Sequence, residues 1–354
     1  MRRYRSDTPA ARRRDAPARL RRTLLTWACG YLVVCLGALA GLVATAPGPS
    51  QPRTNPTHAS TMHESGGDAL LPAARDGKVS VDPFVARPLP DGWARVRPIL
   101  SGAVREMNSG GNEVAACVLA IDAPDERMTC AGDDEPRYAA SVIKVAFAVG
   151  ALEAWNGNTS ATTPYGRLGT LLDDAIEVSD NDAANLLYDL AVDGPTAPET
   201  DSSIEAINDI AARVGLEDEF HTGGAFRYIW TGDMSVVTAS GSVRYLAELV
   251  RAADGRATGD DALTSQKIAR QVLSRMLRQE RDWKLAADLP KGSVANKTGE
   301  TDTESHDIAV VNTATGRYAI AVIGSVNGMF TSADDTMAAL GSDVVAALGG
   351  AARF

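Results

Sequence analysis

Histidine is scarce in this chain: four occur in 354 residues, at His58, His63, His221 and His306. The first two fall in a stretch rich in Pro, Ser, Thr and Gly, which leaves His221 and His306 as candidates for chemistry. Neither accompanies a Gly-x-Ser-x-Gly turn, so a Ser-His-Asp hydrolase would lack its base. No two histidines stand at metal-ligand spacing, which argues against a zinc site and leaves no metal or cofactor to expect. Internal repeats are also missing. Cysteine is limited to four residues, Cys29, Cys35, Cys117 and Cys130. Cys117 and Cys130 lie equidistant from turn residues 122–126, between strands expected over 114–121 and 127–131. A cross-hairpin disulfide and two buried thiols both fit that placement.

Charge divides the chain unevenly. Residues 1–22 hold nine arginines against two aspartates, a local charge of +7, so the rest carries −17 within an overall −10. A basic arm can bind nucleic acid, but this one runs directly into an uncharged apolar segment over 23–46, long enough to cross a bilayer. Positive-inside topology accounts for the arginines without nucleic acid. Ala44-Thr45-Ala46 is a small-residue pattern that a signal peptidase cuts, and Arg21-Arg22 loosely resembles a twin-arginine export signal. The segment is therefore a transmembrane anchor or a cleaved signal. The expected location is a cell-membrane protein with its catalytic part outside the cytoplasm, or a secreted protein.

Residues 47–90 follow as a Pro-rich spacer without apolar periodicity. The folded part is expected over 91–354, as a monomer. Val96, Leu100, Val104 and Met107 recur at helical spacing, with Pro98 expected near the helix start. Further helices are expected at about 141–155, 168–177, 182–191, 203–214, 238–253 and 263–280. The period then changes to strands over 293–297, 307–313 and 318–326, and a last helix follows Ser332, which can cap it with Asp335. The predicted architecture is α/β plus all-α. Residues 91–140 and 290–354 build a mixed sheet flanked by helices, and 141–289 form an inserted helical domain.

Three short motifs carry chemistry. Ser141-Val142-Ile143-Lys144 opens an apolar helix, so the Lys144 amine shares a face with the Ser141 hydroxyl, and burial makes that lysine a usable base. The helix N-terminus offers N–H groups to a developing oxyanion. Ser179-Asp180-Asn181 supplies a second hydroxyl and an amide before the next helix, whose start Asp180 can cap. Lys297-Thr298-Gly299, at a strand end, sets a cation, a hydroxyl and a close-approach glycine on an edge facing a substrate carboxylate.

Ser-x-x-Lys, Ser-Asp-Asn and Lys-Thr-Gly in this order resemble the signature set of class A β-lactamases and penicillin-binding proteins, and the likeness spans about 93–354. It implies a fold with an α/β domain from both chain ends and an all-α domain, matching the pattern above. It also implies that Ser141 is acylated by a β-lactam or a D-Ala-D-Ala-like peptide with Lys144 as proton acceptor, and that Ser179 protonates the leaving nitrogen. Asn181 would bond the substrate's side-chain amide, Lys297 would set the field near Ser179, and Thr298 beside Gly299 would hold the substrate carboxylate. The N–H groups of Ser141 and Glu300 would form the oxyanion hole.

The sequence departs from that pattern in the group that releases the acyl chain. No Glu-x-x-Leu-Asn motif occurs; the nearest glutamates, Glu217 and Glu219, read as surface charges. An aromatic-bearing cleft wall is expected to be missing, and His306 and Asp307 stand where many relatives carry an arginine that binds carboxylate. A class A-like hydrolase, a D-Ala-D-Ala carboxypeptidase or amidase-type peptidase, and a weakly active sensor of cell-wall peptide or β-lactam remain open.

Overall fold

In the structure, a computed structural model, residues 86–226, 233–327 and 332–354 are described. The expectations for the basic arm, the apolar segment and nearly all of the spacer lie outside these residues. Among those described, no helix is long and apolar enough to cross a membrane.

Helix α1 (Trp93–Ser109) buries Val96, Leu100, Val104 and Met107, the residues that recur at helical spacing. Pro98 falls in its second turn, deeper than expected, so the helix continues past a missing N–H. Strands β1 (Glu113–Ala120) and β2 (Arg127–Ala131) form the expected hairpin, with Cys117 opposite Cys130 and the two joined as a disulfide. Strand β3 (Arg137–Tyr138) leads through a 3-10 turn (Ala140–Ile143) into helix α2 (Lys144–Ala154). A small hairpin, β4 (Thr162–Thr163) with β5 (Gly166–Arg167), precedes helices α3 (Leu168–Ile176), α4 (Asn181–Leu190) and α5 (Ser203–Ala212). Strands β6 (Phe220–His221) and β7 (Val236–Val237) complete a second, three-stranded sheet with β3. Helices α6 (Ala239–Ala253) and α7 (Gln266–Met276) follow, then strands β8 (Val294–Glu300), β9 (Glu304–Thr313) and β10 (Gly316–Ser325), and helix α8 (Ser332–Ala347). The side chain expected to cap α8, that of Ser332, lies outside the described side chains.

The main sheet has the order β2-β1-β10-β9-β8 and draws on both chain ends, as the sequence suggests. It is antiparallel at every pairing rather than mixed, because β8, β9 and β10 form a meander and the β1–β2 hairpin adds antiparallel to β10. Alternation along the strands sorts side chains to two faces. Val114, Ala116, Val118, Ile320 and Val322 pack beneath α1 and α8, whereas Ala115, Cys117, Leu119, Ala321 and Ile323 face the remaining helices. Helix α6, placed by the sequence in the helical part, packs directly on this inner face against β1 and β10. Sheet and helical insert therefore share one core.

Helix α2 sits at the centre of that core, packed by α3, α4, α5 and α7. Residues 144–152 are all buried, which accounts for a helix that is apolar all round. Helix α7 ends at Met276, short of the expected 280. The Glu280 N–H there donates to Glu177 O at 2.9 Å, so the chain peels away toward α3.

A buried charge cluster ties the sheet to α6. Arg317 at the start of β10 donates to Asp122 (2.6 and 3.0 Å) and to Asp254 (2.6 and 2.8 Å), and Arg256 supports both aspartates. Burial alone would raise the Asp122 carboxyl; the bonds and charge of Arg317 outweigh it and hold Asp122 below the usual range. Replacing Arg317 by leucine leaves two carboxylates with Arg256 alone. We expect a loss of about 3 kcal/mol in urea unfolding; a loss under about 1 kcal/mol would mean that solvent, not Arg317, satisfies them.

Candidate active site

Two residues outside glycine hold strained backbones beside the first two motifs. Ala140 takes φ 43° and Ser179 takes φ 65°, in a region that non-glycine residues seldom occupy. At Ala140 the turn aims the chain from β3 into the 3-10 turn that carries Ser141, so the serine precedes the α-helix instead of opening it. Side chains three apart eclipse in 3-10 geometry, which sets Ser141 and Lys144 on one face. Ser141 is part-exposed while Lys144 is fully buried. At Ser179 the turn ends one residue before α4, where Asp180 caps the helix by accepting from Ala183 N at 2.7 Å. Asp180 thus serves its own loop.

Lys144 Nζ has three acceptors in reach: Ser179 O at 2.6 Å, Asn181 Oδ1 at 2.7 Å and Ser179 Oγ at 3.2 Å. Lys297 Nζ donates to the same Ser179 Oγ at 2.8 Å and to Thr298 O at 2.8 Å. A hydroxyl has two acceptor sites and one donor. With both acceptor sites taken by lysines, Ser179 has only its proton left to give. Burial, helped by the Arg281 charge and opposed by Asp180 and Glu300, pulls Lys144 down to about 7. Burial and the neighbouring Lys144 bring Lys297 well below the usual lysine range.

Strand β8 closes on the serine. A Cβ built on Gly299 would lie 3.2 Å from Ser141 N and 3.2 Å from Ala139 O, so this close approach needs glycine. Thr298 Oγ is buried and has no aligned hydrogen bond among the described residues, though it stands near enough to Glu300 to help keep that carboxylate ionised. Glu300 itself is held by Lys284 Nζ at 3.0 Å and Arg281 Nη1 at 3.2 Å. Burial would raise its carboxyl; Lys284 dominates and lowers it.

All eight residues named from the three motifs converge here, on or beside the Ser141 turn, the α4 start and the end of β8. His306 and Asp307 do not. His306 is fully buried, its Nε2 donating to Tyr138 O and its Nδ1 accepting from Gly324 N; burial pushes it down to about 4. Asp307 accepts from Leu285 N and Asn296 Nδ2, and burial pushes it up to about 7. They brace β9, and the cations near the strand end are instead Arg281 and Lys284. Sequence reading missed both, because they lie in the non-periodic segment after α7, where no spacing marks them. Beside the cleft, the Phe226 ring lies 5.0 Å from Lys144 Nζ. Glu217 is exposed, and Glu219 pairs with Arg244 at 3.1 Å. Among the described residues, no three His, Cys, Asp or Glu side chains are placed to hold a metal ion.

Residues 157–348, more than half of the chain, match the beta-lactamase enzyme family, a span that includes Ser179, Asn181 and 297–300. No curated protein is detectably similar in sequence. Among solved structures, a beta-lactamase from Sphaerobacter thermophilus superimposes with TM-score 0.58 at 20% identity, over 72% of this chain and 97% of its own. A class A beta-lactamase from Bacteroides cellulosilyticus gives 0.57 at 18%, over 72% and 98%. A beta-lactamase from Desulfarculus baarsii gives 0.56 at 20%, over 74% and 100%. These likenesses establish the fold, and the family match covers the second and third motifs. The chain belongs to the beta-lactamase enzyme family and is a serine hydrolase.

Proposed function

We propose that this chain cleaves β-lactams or related cell-wall peptides through an acyl-enzyme on Ser141. The observation that carries the reading is Ser179 Oγ, which accepts from both lysines and so can only donate toward the cleft. In the acylation step the Ser141 Oγ–acyl carbon bond forms and the carbon–nitrogen bond of the substrate breaks. The Ser141 proton passes to Lys144 and returns through Ser179 to the departing nitrogen. The N–H groups of Ser141 and Glu300 receive the developing oxyanion. Asn181 orients Lys144 and the substrate amide, Lys297 holds Ser179 in place, and Thr298 offers its buried hydroxyl to the substrate.

Hydrolysis of the acyl-enzyme has less support. No Glu-x-x-Leu-Asn motif occurs, Glu217 is exposed and Glu219 is paired with Arg244, which together favour slow deacylation, as in a peptidase or a protein that traps penicillin. An extracytoplasmic location follows from the apolar segment over 23–46 and from the Cys117–Cys130 disulfide, a bond that persists in oxidising compartments. Protein isolated without reductant should leave Cys117 and Cys130 unreactive to alkylation; two free thiols would refute that placement.

Incubation with benzylpenicillin should add one acyl group to Ser141 by intact mass, and Ser141→Ala should show none and lose turnover at least about a thousandfold. An unmodified wild-type protein would sink the acyl-enzyme. Because Lys144 acts as a base only when neutral, acylation should climb with pH, about tenfold per unit at most, and level off above about 7. A profile flat from pH 5 to 9 would exclude Lys144 as the proton acceptor.

A further inference from the structure

Ser179 works from a strained backbone, with φ at 65°, and such a residue persists only where its surroundings fix it. Its two backbone angles are the relation between two peptide planes, one entering through the Val178 carbonyl and one leaving through its own. The leaving plane is held at both ends: Lys144 Nζ donates to Ser179 O at 2.6 Å, and Asp180 N donates to Asp174 O at 2.9 Å. The entering plane is held at Val178 O by Arg281 Nε at 3.3 Å. The Val178 side chain is exposed, so packing gives that plane little hold of its own.

Arg281 is itself anchored on β8. Its Nη1 donates to Glu300 Oε2 at 3.2 Å, its backbone O accepts from Asn296 Nδ2 at 3.4 Å, and its guanidinium lies 5.8 Å from the Trp283 ring. Just before it, the Glu280 N–H donates to Glu177 O at 2.9 Å and Arg278 pairs with the Glu177 carboxylate at 2.6 Å. Residues 278–281 therefore form a strap from the end of α3 to β8, and Arg281 joins the Ser179 turn to the strand that carries Lys297. The link matters most while Lys144 is the base. A neutral amine has two N–H groups where an ammonium has three, so it cannot serve Ser179 O, Asn181 Oδ1 and Ser179 Oγ at once. The guanidinium takes no part in that exchange, and its bond to Val178 O outlasts it.

We propose that Arg281 is a positioning residue for the proton transfer: it fixes the peptide plane that enters the Ser179 turn against β8, and so keeps Ser179 Oγ aimed at the departing nitrogen. Arg281 acts through Ser179 and needs no contact with the substrate. The inference rests on acylation of Ser141 with Ser179 as the proton donor.

Acylation by benzylpenicillin, followed by intact mass over a range of concentrations, separates the limiting rate from the half-saturating concentration. Arg281→Met should lower the limiting rate at the upper pH plateau about tenfold or more and change the half-saturating concentration by less than about threefold. Lysine keeps the charge but ends in one nitrogen, which cannot hold a carbonyl and a carboxylate from two edges of one plane. Arg281→Lys should therefore leave the plateau as low as Arg281→Met does. The pH profiles of the two variants should differ. Arg281, Asp180, Glu300 and Lys297 are the charges that face Lys144, and Arg281 is one that lowers its pKa. The climb should move to higher pH in Arg281→Met and stay near pH 7 in Arg281→Lys. A plateau within about threefold of wild type in Arg281→Met, recovery of the plateau in Arg281→Lys, or a loss confined to the half-saturating concentration overturns the proposal and leaves the acyl-enzyme standing. Absence of any adduct on the wild type overturns both. If Arg281→Met does not fold, the plateau of Arg281→Lys decides alone.

Discussion

An amine buried in an apolar helix must be bonded on every side or lose its charge. Lys144 stands between the two: three acceptors surround Nζ, and burial brings its pKa down to about 7. Two of those acceptors belong to Ser179 and the third to Asn181, so the start of α4 is pinned to the start of α2 through one nitrogen. Lys297 then joins Ser179 from the sheet. Sheet and helical insert meet through a serine held between two lysines.

This arrangement is costly to build, and the strain falls where the backbone would otherwise point elsewhere. Positive φ at Ala140 and Ser179 turns each motif inward, and packing of α2 on all sides keeps both turns closed. A third buried lysine of the region, Lys284, is stabilised differently from Lys144 and Lys297, by Glu300 and backbone carbonyls. Lys144 is thus left near neutrality for chemistry and Lys284 is paired for structure, with Arg281 on the same Glu300 carboxylate.

Much of the frame was legible in advance. The α1 spacing, the β1–β2 hairpin and the strands β8 to β10 carry local periodicity, and periodicity reports burial of one face. Helix α6 reads equally well as part of a helical bundle or as a layer on a sheet, since both bury one stripe; only its contacts with β1 and β10 separate the two. His306 and Asp307 stand at the strand position where many relatives carry an arginine, but the direction of their side chains is set by the pleat and by Tyr138, Asn296 and Leu285.

By itself the sequence determined the chemistry available: Ser141 three residues before Lys144, a hydroxyl and amide at Ser179 and Asn181, and a cation beside a close-approach glycine at 297–299. Those are local facts, decided by spacing along one turn or one strand. Tertiary structure decided what each group can do. It brought two lysines from positions 144 and 297 onto one hydroxyl, lowered their pKa values by burial, and placed Arg281 and Lys284 around Glu300. Such outcomes depend on distances between segments far apart in the chain, where desolvation and charge act through space and leave no trace in residue order.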